Sequence, residues 1–261
     1  MRSGCAAGRG PEVARHLGSL TYEEVAELLA AGPTVAIVPV GSVEPHGPHL
    51  PLDTDTAISV ACARRAAERL DADGFRAVVA PAVPYGVTDY ASGFAGAIGV
   101  SAEVLTPLLR SLAQRLLSTG FAHVCFVNNH LEPAHDSAVR AAIEGLPAGA
   151  ASVACPLTRR WGRTLSDEFK RGDCHAGRYE TSLVLAEGGT VRASFGGLPS
   201  LGISLAEAIR AGKATFAEIG MARAYTGAPR DATAAEGEEL YDKLVTMVVT
   251  EITEALGARP T

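Results

Sequence analysis

The sequence predicts an α/β protein, a single domain built as a three-layer α/β/α sandwich around a mainly parallel sheet. Three observations carry this expectation. Short runs rich in β-branched residues alternate with longer stretches of helical spacing. The run over 34–40 is short and rich in β-branched residues, as a buried strand is. The 261 residues contain no Gly/Ser- or Pro-rich linker and suit one large domain with a sizeable core.

Residues 1–18 lack the apolar stretch of a signal peptide and read as a flexible tail, leaving 19–258 as the domain. Thr21-Tyr-Glu-Glu24 is a capping box, in which the Thr21 hydroxyl accepts from a first-turn amide and Glu24 reaches back. Val25, Leu28 and Leu29 give that helix its apolar face, and Gly32-Pro33 ends it. Residues 34–40 form a buried strand. Residues 56–70 carry helical spacing and many alanines, with Asp53 as the N-cap. The pattern repeats as a strand over 76–83, a helix over 101–118, a strand over 122–127, a helix over 133–146 and a strand over 151–155. Helices over 180–187 and 231–256 close the chain, the last with Val245, Val248, Val249 and Ile252 at three- and four-residue steps. Residues 84–100 and 188–230 are rich in Gly and Ala and have no period. They are expected to be loops over a site or segments between subunits.

A net charge of −6 without a basic patch argues against a nucleic-acid partner. No segment is apolar for the length a membrane span needs. The five cysteines are scattered and form no CxxC pair, which fits a reducing, cytoplasmic compartment better than a disulfide framework.

Three short pieces place metal-binding residue types beside predicted elements. Glu44-Pro-His46 follows the 34–40 strand, and Asp55 follows after a Pro/Gly-rich loop. His130-Leu-Glu132 follows the 122–127 strand. His175 and Glu180 stand five apart. Ligands of open α/β sheets bind beyond the carboxyl ends of the strands, so the first two pieces are expected to converge. Residues two apart in extended chain line one face, so the two members of each pair are presented together and can serve two neighbouring ions, with Asp55 bridging them. Mixed His/carboxylate sets suit Zn²⁺, Mn²⁺ or Fe²⁺. Two such ions sharing a water favour hydrolysis. His49 reads as a supporting imidazole, and His123 and His135 as structural. Spacing alone leaves His175 and Glu180 divided between a proton-transfer pair and a helix cap beside a surface histidine.

These residues resemble the creatininase family of amidohydrolases. The likeness rests on Gly41-Ser-Val-Glu44-Pro-His46-Gly-Pro-His49-Leu-Pro-Leu, Asp55, Asn129-His130-Leu131-Glu132 and His175-Ala-Gly-Arg-Tyr-Glu180-Thr-Ser. Weaker echoes are Phe94-Ala-Gly-Ala-Ile98 and residues 227–237. The resemblance covers roughly residues 20–255. It implies a homo-oligomer, commonly a hexamer, and two divalent metal ions, Zn first, with Mn or Fe as alternatives. By position, Glu44, Asp55 and His130 would hold one ion, and His46, Asp55 and Glu132 the other. His175 and Glu180 match the proton-transfer pair. The implied activity is hydrolysis of a cyclic or other non-peptide amide C–N bond in a small metabolite by a metal-bridging hydroxide. Formamide hydrolysis in flavin or deazaflavin precursor synthesis, trimming of a modified precursor peptide, and a non-catalytic binding subunit are the alternatives. Where creatinine-cleaving members carry Trp-Asp before the catalytic histidine, this chain has Lys170-Arg171-Gly172-Asp173. The missing aromatic cover argues against creatinine. Arg171 and Arg178 read as solvated, and Trp161, the single tryptophan, is not equated with any family position.

Overall fold

The computed structural model describes residues 14–257. Helix α1 (Tyr22–Ala30) precedes β1 (Thr34–Val40), α2 (Thr54–Ala72), β2 (Arg76–Val79), α3 (Ala102–Thr119), β3 (His123–Asn128), α4 (Pro133–Ile143) and β4 (Ala151–Ala154). Then come α5 (Arg159–Gly162), α6 (Asp167–Arg171), α7 (Arg178–Ala186), α8 (Leu205–Arg210), α9 (Phe216–Ile219) and α10 (Ala234–Ala255). The four strands are parallel in the order β2-β1-β3-β4.

Every residue of β1 and β3 is buried, which is why both read as largely apolar runs without polar alternation. Alternate β1 side chains enter opposite layers. Val35 and Ile37 pack with α2, α7 and α10, through residues such as Leu70, Leu183 and Leu244. Ala36 and Val38 pack with α3 and α4, through Leu105, Leu109 and Val139. The three layers are those the sequence predicts.

Boundaries differ where backbone chemistry intervenes. The strand expected over 76–83 is ladder-paired only to Val79, because Pro81 has no N–H to donate; Val83 rejoins through its amide to Pro39 O at 2.9 Å. Helix α4 stops at Ile143 rather than 146, before Gly145 in the left-handed region. Helix α10 starts at Ala234, where the Thr233 hydroxyl accepts from the Glu236 amide. The Thr21/Glu24 capping box forms as expected. Asp53 occupies the N-cap position of α2, but its side chain makes no capping bond. Of the tail expected over 1–18, residues 14–18 lie beside β2: the Val79 amide donates to Arg15 O at 2.9 Å. Residues 1–13 lie outside the described residues.

The strand order fixes where a site can form. From β1 the chain runs outward to β2 and then returns to place β3 on the other side of β1, so the order reverses between β1 and β3. Ligands of open α/β sheets bind at such a switch point, beyond the carboxyl ends. Val40 and Asn128, the last residues of these strands, are register partners. Glu44 and His130 therefore leave the sheet side by side.

Candidate metal centre

The loop after β1 turns over the first turn of α2. Gly41 permits this, since a Cβ there would lie 2.5 Å from Thr56 Oγ1 and 2.6 Å from its backbone nitrogen. The crossing brings Glu44 and His46 over Asp55, the second residue of α2. His130 arrives from the end of β3, His175 from the turn before α7, and Glu180 from the first turn of α7. All seven candidate side chains, Glu132 included, are buried.

Asp55 stands between two imidazoles. Its Oδ1 lies 3.1 Å from His46 Nε2, and its Oδ2 lies 3.0 Å from His130 Nδ1. Glu44 Oε1 faces His130 Nδ1 at 3.4 Å and His175 Nδ1 at 3.7 Å. Glu180 Oε2 lies 3.6 Å from His46 Nε2. The ligand atoms of Glu44, Asp55 and His130 lie within 4.8 Å of one another, as do those of His46, Asp55 and Glu180 and those of Glu44, His46 and His175.

The outer ring nitrogens are equally constrained. His46 Nδ1 donates to Glu44 O at 3.0 Å, His130 Nε2 to Val87 O at 2.6 Å and His175 Nε2 to Pro45 O at 3.0 Å. A carbonyl oxygen only accepts, so each outer nitrogen carries the proton. Each neutral imidazole then turns a lone pair inward, the arrangement metal-ligating histidines share. Together with the split oxygens of Asp55, this donor set fits two divalent cations of the Zn or Mn kind.

Burial opposes ionisation at every group here, and the neighbours decide the outcome. His46 is raised to about 10 because Asp55, Glu180 and Glu44 outweigh its desolvation. His130 is held well above its ordinary value, against burial, by Glu44 and Asp55. Despite burial, His130 brings Glu44 down to about 2. Burial raises Glu132 to about 7 and Glu180 to about 8, and lowers His175 to about 4 with help from the charge on His46. In the metal-free chain at pH 7, His46, His130 and Glu180 therefore hold protons that an ion must displace. Metal uptake should release about two to three protons per chain. Calorimetry in buffers of different ionisation enthalpy reads this number. A binding heat independent of buffer would contradict it.

Glu132, expected as a ligand of the second ion, stands apart from the other six side chains. It belongs to none of the close groups, because its carboxylate is held by the 84–100 loop: Oε1 accepts from the Asp89 amide at 3.1 Å and Oε2 from that of Tyr90 at 3.3 Å. Glu180, expected to act with His175, instead faces His46 while accepting from the Ala176 amide at 2.6 Å. Ala176 itself has φ 50, a strained value for a residue with a Cβ.

Residues 87–90 form a clasp over the centre that the sequence pattern left unread. Val87 O receives His130, the Val87 amide donates to His135 Nδ1, and the Thr88 hydroxyl donates to Glu44. Ser42 similarly donates to Asp55 Oδ2 at 2.7 Å. These partners lie far away in sequence with no periodic signal; nothing but the Gly-rich composition of 84–100 hinted at them. Thr88→Val is expected to weaken metal binding by about 10–100-fold, the scale of a lost ligand-orienting partner, and Thr88→Ser to restore it. Metal titration of the two variants checks this.

His49 Nε2 meets Thr181 Oγ1 at 2.9 Å, in keeping with a supporting role. His123 bonds Gly149 O and Ser152 Oγ and is structural. His135 is buried with its ring 4.7 Å from that of His130, closer to the centre than a merely structural reading implies. Arg171 pairs with Asp173 and Arg178 with Glu236, both partly in solvent. Trp161 donates to Glu251 on α10.

The centre opens into a cavity of about 280 Å³ whose walls are mostly apolar: Leu131, Leu157, Phe169, Leu205, Ile209 and Phe216. Glu132 and His175 line it beside Glu44 and Asp55. Phe216 brings an aromatic ring 4.5 Å from His175. It comes from the unpatterned 188–230 stretch, not from 170–173 where the cover was sought. Among the described residues the cysteines Cys62, Cys125, Cys155 and Cys174 are free and buried. Among the described residues no helix is long and apolar enough to cross a membrane.

The creatininase (creatinine amidohydrolase) family model matches residues 18–252. The mycofactocin precursor peptide peptidase of Mycobacterium tuberculosis (strain H37Rv) is 34% identical over 247 residues, 89% of this chain and 88% of that protein. The creatinine amidohydrolase of Pseudomonas putida is 31% identical over 121 residues, 44% of this chain and 45% of that one. A solved structure named "Creatininase Mn" has the same fold, with a TM-score of 0.69 at 21% identity, covering 93% of this chain and 99% of its own. A family match over most of the length, and a relative above 30% identity along nearly all of it, agree with the switch-point cluster of histidines and carboxylates: the chain belongs to the creatininase family of amidohydrolases.

Proposed function

We propose that this creatininase-family hydrolase is a two-metal peptidase that cleaves an amide bond of a precursor peptide beside an apolar residue. The observation that carries the reading is the apolar cavity opening on the buried metal cluster, large enough for a bulky side chain. The mycofactocin precursor peptide peptidase, similar along nearly the whole chain, supports a peptide substrate. Glu44, Asp55 and His130 would hold one ion, and His46, Asp55 and Glu180 the other; zinc and manganese both suit this set. Bound there, such ions would supply a water of lowered pKa and polarise the amide carbonyl.

The chain's own groups supply the rest. The walls exclude water and fix the scissile bond. Glu132, poised near pH 7 and held by two amides, accepts the proton of the attacking water and returns it to the departing nitrogen. His175, neutral with Nε2–H on Pro45 O, presents Nδ1 to the reacting groups as an acceptor. This exchanges the roles expected for Glu132 and Glu180 and keeps His175 in proton handling. His175→Ala should retain both ions and lose about 10²–10⁴-fold in turnover. Loss of metal instead would make His175 a ligand.

A second reading, a small cyclic amide stacked on Phe216, is favoured by that ring's place over His175. A mass-spectrometric screen of the Zn²⁺- or Mn²⁺-loaded protein separates the two. Cleavage of a mycofactocin-type precursor peptide, with creatinine untouched, is the expected result. Turnover of creatinine with the peptides intact would sink the peptidase reading.

A further inference from the structure

The cavity at the centre adjoins a second one of about 400 Å³, and Leu157, Phe169 and Lys170 line both. Three cations, Arg159, Arg163 and Lys170, line the second cavity and no acid does, against a net chain charge of −6. Arg64, Arg65, Arg160 and Arg178 each pair with a glutamate. Among the described residues neither Arg159 nor Arg163 pairs with an acid, and Arg163 Nε donates to Arg159 O at 3.1 Å. Lys170 meets Asp167 at 3.1 Å, but that carboxylate is 86% exposed and the pair is worth little in water. The basic turn is seated firmly: a Cβ on Gly162 would lie 3.0 Å from Pro156 O and 3.2 Å from the Phe169 ring. Helix α5 thus rests on the wall shared by the two cavities.

Moving outward, the surface changes from the metal cluster to apolar walls to cations. We propose that this cationic recess is a substrate subsite that takes a carboxylate of the peptide whose apolar residue fills the first cavity. Guanidinium forks match carboxylate geometry, and an arginine pair without internal acids keeps that geometry available. The inference rests on the peptide reading above. The carboxylate comes from the peptide's C-terminus or from an acidic side chain, and the probes distinguish the two.

Binding to the metal-loaded full chain is measured by calorimetry with N-acetyl-Leu-Leu as free acid and as amide, and with the amides of N-acetyl-Leu-Glu, Leu-Gln and Leu-Lys. One anionic probe should bind about tenfold more tightly than its neutral counterpart, the scale of one charge-assisted hydrogen bond. An advantage of the free acid identifies the terminus; an advantage of Glu over Gln identifies the side chain. R159Q/R163Q should abolish the advantage and leave the neutral probes unchanged. R159E/R163E should prefer the Leu-Lys probe. Carboxylate contact with the metals is common to all three proteins and cancels in the comparison. An equal advantage in wild type and R159Q/R163Q, no discrimination by wild type, or no measurable binding overturns the subsite. Because binding needs no turnover, failure to cleave any peptide refutes the peptidase reading separately.

Discussion

Asp55→Ala is expected to leave the purified protein with at most one ion per chain and to cost more than the ~10²–10³-fold in turnover of a single lost transition-state donor. Its two oxygens face two different imidazoles at 3.1 and 3.0 Å, so one substitution removes a partner from both halves of the centre. It also strands the Ser42 hydroxyl, which donates to Asp55 Oδ2. Asp55→Asn keeps the shape and one oxygen but loses the charge that raises His46 and His130. It should retain more metal than the alanine variant and less than wild type. Elemental analysis after dialysis without chelator reads the stoichiometry directly. Two full equivalents of ion in Asp55→Ala would exclude a bridging role.

Glu132→Gln and Glu180→Gln should fail in different ways, although both remove one buried carboxylate. Glu132 is held off the cluster by the Asp89 and Tyr90 amides, so its amide variant should keep both ions and lose about 10²–10⁴-fold in turnover, the range of a lost general acid or base. The acidic limb of the pH–rate profile, set in wild type by the Glu132 carboxyl that burial raises, should disappear with it. The sign follows from the role: the base works ionised, so activity rises with pH through its pKa. Glu180 faces His46, so its amide variant should lose the ion shared with His46 and Asp55 and regain activity at high metal concentration. The opposite pairing, metal loss in Glu132→Gln and an intact centre in Glu180→Gln, would restore the ligand set first expected from the sequence.

The parts of this protein that read clearly are those whose physical constraint is local. β1 and β3 are buried on both faces, and largely apolar runs are the direct imprint of that burial. The Thr21–Glu24 box is four consecutive residues satisfying one another's amides. Glu44, His46 and Asp55 sit on one tight loop and the helix turn after it. β2 read too long because Pro81 removes a ladder donor without interrupting the apolar pattern.

The sequence by itself determined the layered α/β/α fold, the family, and the convergence of two ligand-bearing loops at the ends of β1 and β3. Only the tertiary structure decided what each carboxylate faces: Glu180 faces His46, and Glu132 faces two backbone amides. The sequence offered Glu132 as a ligand and Glu180 as a partner of His175, and it holds no sign of the amides of residues 89 and 90, more than forty positions from Glu132. The tertiary structure also decided the cover, through Phe216, and the gathering of Arg159 and Arg163 beside Phe169. The physical reason is the same in each case. A loop without periodicity carries no record of its long-range partners, because its backbone bonds and side-chain contacts are fixed by where the sheet places other segments, not by its neighbours in the chain.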